Sequence, residues 1–212
     1  MLMLAVSTSG SIATAALIEN GKPLHATVGE RDKRHAQTLF PAIEQVIFET
    51  GRSLSEVELF GVDVGPGSFT GVRIGVSAVN AMAAAQGKLV VGVSALRGIY
   101  QPYADLPNRV CVLLDCGNGN GYAAQFCQGR ELVAPEPVEA ALYRETLPPD
   151  TMLITDVDKP ADGPLAPEAT WIGQAAYILR EAATAAAKPL YLRPSQAERM
   201  WKQLREAKGN GA

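Results

Sequence analysis

The sequence predicts an α/β protein of two similar lobes, each a mixed β-sheet flanked by helices. Two observations lead to this prediction. Up to residue 93, the chain reads as a meander of three strands followed by helix, strand, helix and strand. After a segment at 101–108 that contains two prolines, three strands, a helix, a strand and a helix follow in the same order, which indicates an internal duplication. We therefore expect an N-terminal lobe at 1–104 and a smaller C-terminal lobe at 105–212.

Five strands and three helices are expected in the first lobe. The strands are at 3–7, 12–18, 24–28, 59–64 and 89–93, and the helices at 36–50, 72–86 and 94–100. Asn20-Gly21, between the second and third strands, is the strongest short hairpin signal. Pro41 falls inside the apolar periodicity of the first helix, so that helix either begins at Thr38 or kinks at the proline.

The second lobe is expected to repeat this order with shorter elements. Its strands are at 110–115, 122–127, 131–134 and 152–155, and its helices at 138–147, 170–187 and 195–208. The last helix begins with a capping box at Ser195. Its apolar stripe includes Trp201, and it either packs on the chain itself, including back on the first lobe, or contacts a partner. A meander followed by alternating helices and strands is the ribonuclease H-like layout.

Composition and charge exclude several classes of protein. The net charge of −3 argues against a protein that binds nucleic acid strongly by itself, because phosphate binding needs a basic face. The sequence contains no run of eighteen apolar residues, so no membrane span is expected. Residues 1–6 lack the basic lead of a signal peptide and are expected to form the first strand.

Cysteine and histidine spacing predicts neither disulfides nor a metal site. The three cysteines, Cys111, Cys116 and Cys127, form no C-x-x-C pair and lie in or beside apolar runs. We therefore expect buried, unpaired thiols in a reducing compartment. The two histidines, His25 and His35, lie on different predicted elements, and no cluster of potential ligands has the spacing of a metal site.

A glycine-rich stretch at 63–75 joins the fourth strand to the second helix. Gly65-Pro66-Gly67 can form a tight turn, because glycine allows positive φ and proline fixes φ. Ser68 or Thr70 can cap the helix by accepting hydrogen bonds from its free amides. The start of a helix can also bind an anion. Two interpretations stay open here, a ligand-binding loop and a well-capped turn without a ligand.

The sequence of this stretch, G-P-G-S-F-T-G-x-R-I-G from Gly65 to Gly75, closely resembles the signature of the TsaB family, also called YeaZ. Every glycine of the signature is present, and so is its arginine, Arg73. The duplicated lobes resemble the actin-like ATPase superfamily, of which TsaB proteins look like a shortened member. The resemblance therefore covers nearly the whole chain and implies two ribonuclease H-like lobes.

The resemblance also implies a function. TsaB proteins are needed to make threonylcarbamoyladenosine next to the anticodon of transfer RNAs that read codons starting with A. The family implies a non-catalytic subunit that binds and activates TsaD, with TsaE joining through the complex and a homodimer forming when TsaD is absent. It further implies a cytoplasmic protein that requires no cofactor, with room for ATP or ADP at the partner interface.

The resemblance assigns candidate residues to these roles. The implied partner interface lies on the first two helices and consists of His35, Leu39, Ile43, Val72, Val76, Val79 and Ala83. The implied nucleotide contact is the motif loop, with Gly65, Pro66, Gly67, Ser68, Phe69, Thr70, Gly71 and Arg73. Two alternatives remain: the second helix is wholly internal, and Arg73 pairs with a carboxylate instead of a nucleotide.

Two enzymatic hypotheses are kept for comparison. An ATPase of the actin-like fold places a carboxylate in the first turn of each lobe, whereas here Ser7 replaces the first and only Asp115 remains. Asp115 is also a typical residue for accepting turn amides at the end of a strand. For a glycoprotease-like peptidase, Ser68 does not lie in G-x-S-x-G. The related enzyme TsaD carries an H-x-x-x-H metal motif, which a lone His35 cannot form, and His35 fits equally well as a polar residue at the start of the first helix.

Overall fold

A computed structural model describes residues 1–30, 33–157 and 166–193. Its first sheet contains five strands: β1 (Leu2–Ser7), β2 (Thr14–Glu19), β3 (Lys22–Val28), β4 (Leu59–Asp63) and β5 (Leu89–Val93). Their order in the sheet is β3-β2-β1-β4-β5. The meander β1–β2–β3 is antiparallel, whereas β4 and β5 run parallel to β1. The predicted mixed sheet is confirmed.

Helices cover both faces of this sheet. Alternate residues of β1, among them Leu4 and Val6, pack into a core shared with α1 (His35–Thr50) and α2 (Phe69–Ala85). The residues between them, Met3 and Ala5, pack against α5 (Ala169–Ile178) on the opposite face. Because both faces are buried, β1 reads as an uninterrupted apolar run.

The second sheet has the strand order β8-β7-β6-β9. Its strands are β6 (Val110–Gly117), β7 (Asn120–Cys127), β8 (Arg130–Glu139) and β9 (Met152–Thr155). The short helix α3 (Ala95–Tyr100) joins the lobes and packs Leu96 and Ile99 against one face of this sheet. On the other face lies a smaller core cluster that includes Ala140 of α4 (Ala140–Glu145).

The helix predicted at 170–187 is the largest difference from the sequence prediction. It ends at Ile178 and packs on β1, β2 and β4 of the first sheet rather than on the second. After it comes a short 3₁₀ turn at Arg180–Ala182, and the backbone of Thr184 then exchanges two hydrogen bonds with Val90 of the edge strand β5. The backbone hydrogen bonds that β5 offers at its edge outweigh the helix propensity of the alanines. Helix α5 therefore belongs to the layers around the first sheet.

Smaller differences concern element ends. α1 begins at His35, so the exposed Pro41 lies within the helix rather than in its first turn. α2 begins at Phe69, three residues before the expected start. β8 continues to Glu139, into the helix predicted at 138–147. The predicted final helix at 195–208, with Trp201, lies outside the described residues. In the described ranges, no helix has both the length and the apolarity needed to cross a membrane.

Candidate functional site

The glycine-rich stretch forms the predicted turn between a strand and a helix. β4 ends at Asp63, the Gly65–Pro66 peptide is cis, and Gly65 takes a φ of +88°. Ser68 caps α2, because its hydroxyl accepts a hydrogen bond from the Gly71 amide at 3.1 Å. Of the two capping candidates, the structure therefore selects Ser68 over Thr70.

Three glycines of the motif, Gly67, Gly71 and Gly75, lie against the first turn of the chain. The Ser68 amide donates to the Ser9 carbonyl at 2.7 Å, which brings the two turns together. A Cβ at Gly67 would lie 2.6 Å from the same carbonyl oxygen. One at Gly71 would overlap the Thr8 carbonyl oxygen, and one at Gly75 the Thr8 hydroxyl. These glycines therefore serve close packing between two segments of the same chain.

A buried carboxylate, which sequence reasoning did not single out, fixes both turns. Asp63 is fully buried and accepts hydrogen bonds from the Ser7 hydroxyl and the Gly65 amide, both at 2.8 Å. Burial raises the pKa of Asp63 above its usual value, although hydrogen bonds from Ser9, Gly65 and Ser7 act in the opposite direction. Ser7, which occupies the position of the expected carboxylate, thus holds Asp63 in place.

Arg73 of the motif lies between aromatic rings at the surface. Its guanidinium carbon is 3.9 Å from the centroid of the Phe69 ring. Its Nε donates to the Tyr191 hydroxyl at 2.8 Å, and the rings of Phe69 and Tyr191 are 4.9 Å apart. In the described part of the chain, Arg73 forms no ion pair with a carboxylate. The sequence held no signal for Tyr191, because it lies 118 residues away along the chain.

A cleft of about 490 Å³ lies between the first turns of the two lobes. Ser9–Ser11, His35 and the motif residues 66–68 line one side, and Asp115 and Asp156 lie on the other. This is where the superfamily resemblance places nucleotide phosphates. Lysine and arginine are absent from the described residues that line it. These residues therefore do not supply the charge neutralisation that phosphoryl transfer needs.

Asp115 behaves as a residue at the end of a strand. Its Oδ1 accepts a hydrogen bond from the Gly117 amide at 2.9 Å, and its own amide donates to Oδ1 of Asp156 at 2.7 Å. Among the described residues, no three histidine, cysteine or acidic side chains lie together so that they could hold a metal ion. The geometry agrees with the interpretation of Asp115 as an acceptor of turn amides.

The structure places most of the residues predicted at the partner interface inside the chain. Six of them lie inside the chain's own core, each at most 4% exposed: Leu39, Ile43, Val72, Val76, Val79 and Ala83. The apolar stripes of α1 and α2 face the first sheet and each other, because this buries the most apolar area within one chain. His35 is half-buried, and its Nε2 lies 3.0 Å from the Gly10 carbonyl oxygen. A partner could not reach the six apolar side chains in this fold.

A different apolar surface lies on the outside of the same two helices. Phe40 and Phe48 of α1 are 50% and 81% exposed. On α2, Ala81 is exposed, and Ile74 and Met82 are half-buried at the margin of the core. We call these five residues the outer face. The sequence carried a signal for it, since both phenylalanines lie beside the buried stripe of α1.

The cysteines agree with the expectation of unpaired thiols. All three are free, and burial raises the pKa of Cys111 to about 12. Cys116 and Cys127 are half-buried rather than buried. The sulfur of Cys116 accepts a hydrogen bond from Arg193 at 3.3 Å.

Comparisons with known proteins identify relatives in sequence and in structure. A profile of the family described as "TsaD: tRNA N6-adenosine threonylcarbamoyltransferase" matches residues 18–193. The tRNA threonylcarbamoyladenosine biosynthesis protein TsaB of Escherichia coli is 29% identical over 128 residues, which are 59% of this chain and 55% of that protein. The TsaB protein of Haemophilus influenzae is 28% identical over 150 residues, 69% of this chain and 62% of that protein. The matched regions thus span little more than half the length of these two relatives.

The fold comparison covers more of the chain. YeaZ from Pseudomonas aeruginosa superposes with a TM-score of 0.73 at 26% identity, over 90% of this chain and 99% of that one. A second solved structure, described as an uncharacterized protein with similarity to peptidase YeaZ, also from P. aeruginosa, gives a TM-score of 0.74. This similarity confirms the predicted fold of two lobes, each with a mixed sheet flanked by helices.

Proposed function

We propose, because the chain belongs to the TsaB (YeaZ) family, that it takes part in making threonylcarbamoyladenosine in transfer RNA. Its role in this proposal is to bind and activate a transferase of the TsaD type, with TsaE joining through that complex. It is a subunit without catalytic residues of its own. Because the complex acts on transfer RNA, we expect the subunit in the cytoplasm. It requires no cofactor, and the place for ATP or ADP in this proposal is where the two proteins meet.

The arrangement of the motif supports a role without catalysis. The carboxylate of Asp63 is buried and held by Ser7 and Gly65. The hydroxyl of Ser68, which a peptidase would need as nucleophile, accepts the capping hydrogen bond from Gly71. The polar groups of the motif thus hold two turns of the chain together.

The observation that carries the docking proposal is the outer face. An 81% exposed phenylalanine, Phe48, costs free energy in water unless something covers it. Phe40 lies two helical turns before it on α1, so the two rings flank the same side of the helix. Two exposed aromatic side chains on one side of a helix, with the exposed Glu44 between them, favour a protein partner over open solvent. We assign the TsaD-type transferase to this face, and a second copy of the chain when the transferase is absent.

Replacing Phe48 by glutamate should weaken the complex with the TsaD-type transferase at least tenfold. Truncating a central aromatic residue of an interface typically costs about 2 kcal/mol or more, and an added charge must also be desolvated. Isothermal titration calorimetry with the purified partner measures the affinity. Size-exclusion chromatography with light scattering follows the expected loss of self-association.

The matched control is Leu132→Glu. Leu132 is 47% exposed on β8 of the other sheet, so this variant adds the same charge away from the outer face and should bind normally. Val76→Glu is unsuitable as a probe, because it would place a charge in the core. Normal affinity in the Phe40→Glu, Phe48→Glu double variant would contradict the docking proposal.

The cleft between the lobes is the observation behind one alternative function, an ATPase of the actin-like fold. Under our proposal, the purified chain does not turn over ATP, and Asp115→Asn leaves modification of transfer RNA by the reconstituted system unchanged. Phosphate release in the presence of magnesium checks the first point, and threonylcarbamoyladenosine formation checks the second. ATP hydrolysis that disappears in Asp115→Asn would establish the alternative instead.

A further inference from the structure

A second cavity, of about 620 Å³, shares no lining residue with the cleft described above. Several parts of the chain form its walls. They include the ends of β4 and β5 near Val64 and Gly92, the start of α3, the β7–β8 turn at Gly129, and the segment Lys188–Leu190 that follows α5. The backbone hydrogen bond from the Leu190 amide to the Val64 carbonyl holds that segment against the first sheet. The cavity is thus built by the tertiary fold and not by a single loop.

Arg97 lines this cavity with an incompletely satisfied guanidinium. The residue is only 6% exposed. Its Nη1 donates to the Gly129 carbonyl at 2.8 Å, whereas its buried Nε has no hydrogen-bond partner among the described residues. The rings of Tyr100 and Phe126 lie 5.5 and 5.6 Å from the guanidinium carbon. A buried cation is costly unless an anion or further hydrogen bonds compensate it.

The fixed charges around Arg97 leave the cavity with an excess of positive charge. The exposed Lys188 also lines it, and Glu131 is the one acidic residue among its described lining. In the described part of the chain, no carboxylate lies within ion-pair distance of the Arg97 guanidinium. Burial lowers the pKa of Arg97, and the negative charge of Glu131 acts in the opposite direction without fully offsetting the burial.

We propose that this cavity binds a small organic anion, whose carboxylate or phosphate group pairs with Arg97 and Lys188. A guanidinium presents several donors in a plane, which suits the oxygens of either group. Val64, Leu179 and Leu190 supply apolar surface for the remainder of the ligand. This combination of an apolar wall with a few convergent polar groups is typical of small-molecule sites. The inference is independent of the proposed function, since it uses neither the outer face nor the motif.

The experiment is an NMR titration of the full chain with inorganic phosphate, and separately with benzoate. We expect saturable shifts of the Ser94 and Gly129 amides, because Ser94 lines the cavity and Gly129 bonds Arg97. Tighter binding of phosphate would indicate a ligand with a phosphate group, and tighter binding of benzoate would indicate a carboxylate attached to an apolar body. Arg97→Met should weaken binding at least tenfold, since hydrogen bonds to charged groups are the strong ones. Lys188→Gln should weaken it several-fold.

The matched control is Lys22→Gln, which removes an exposed lysine on β3, outside the cavity lining, and should bind like the wild type. Glu131→Gln should tighten binding, because it removes the competing negative charge. Where Arg97→Met does not fold, Lys188→Glu takes its place and should abolish binding. The proposal is overturned if neither probe gives saturable shifts at these amides. Unchanged affinity in Arg97→Met or, in its place, Lys188→Glu also overturns it.

Discussion

Gly71→Ala is expected to destabilise the protein by about 3 kcal/mol, in the upper range of overpacking changes. In an ordinary helix the same substitution is stabilising by roughly 1 kcal/mol, because alanine is the better helix former. Gly71 lies in the first turn of α2, where a methyl group would overlap the carbonyl oxygen of Thr8. Relief requires the backbone of one turn to move away from the other. Urea unfolding followed by circular dichroism measures the difference.

Substitutions at two other positions in α2 provide comparisons for Gly71→Ala. Ser77 is exposed on the same helix, so Ser77→Ala should leave stability unchanged or slightly increased. At Gly75, the added methyl group meets the side chain of Thr8 rather than its backbone, and a side chain can rotate. Gly75→Ala should therefore cost less than Gly71→Ala. A Gly71→Ala protein as stable as Ser77→Ala would show that the two turns are not packed as described.

Asp63→Ala is expected to destabilise the protein by about 3 kcal/mol or more, because each buried polar group left without a partner costs about 1–3 kcal/mol. The substitution would leave the Ser7 hydroxyl and the Gly65 amide without their acceptor. Asp63→Asn keeps the shape and an acceptor for Gly65, and its amide can donate to the Ser7 hydroxyl. It should therefore cost much less. Equal losses in the two variants would contradict a role for these hydrogen bonds.

The pH dependence of stability provides an independent measurement on Asp63. Burial raises its pKa in the folded state, so the folded protein keeps the proton over a pH range in which the unfolded chain has lost it. The contribution of Asp63 to stability is therefore present below the unfolded value of about 3.9 and is lost as the pH rises through the folded pKa. The Asp63→Asn variant has no titrating group at this position, so its stability does not fall for this reason. Wild-type stability should fall relative to the variant over that window, and parallel curves would contradict the raised pKa.

Local signals in the sequence predicted most of the elements. Asn20-Gly21 gave the β2–β3 hairpin, and the strands at 89–93 and 152–155 match the structure at both ends. Ser53 and Glu56, three residues apart, form a capping box around a short 3₁₀ turn. These features depend on side chains a few residues apart, whose effect on the backbone is the same in any surroundings.

The sequence predicted less well which parts of the chain pack against each helix and strand. Val76 was expected at an interface, because α2 is apolar nearly all round and periodicity cannot say which face its own sheet covers. The alanines after Ile178 favour a helix locally, but the edge of β5 draws Thr184 into an extended pairing. In both cases a contact between distant segments decided the outcome, and local propensity is too weak to oppose it.

The sequence by itself determined the order of the elements, the turn at Gly65–Gly71 and the family motif, because these are encoded in neighbouring residues. Only the tertiary structure decided why the motif needs its glycines and how Asp63 is bonded, since Thr8 and Ser7 are more than fifty residues away along the chain. It also decided that Arg97 meets Gly129 at a cavity. Such contacts follow from how the packed sheets bring distant segments together, and that packing minimises exposed apolar area over the whole molecule.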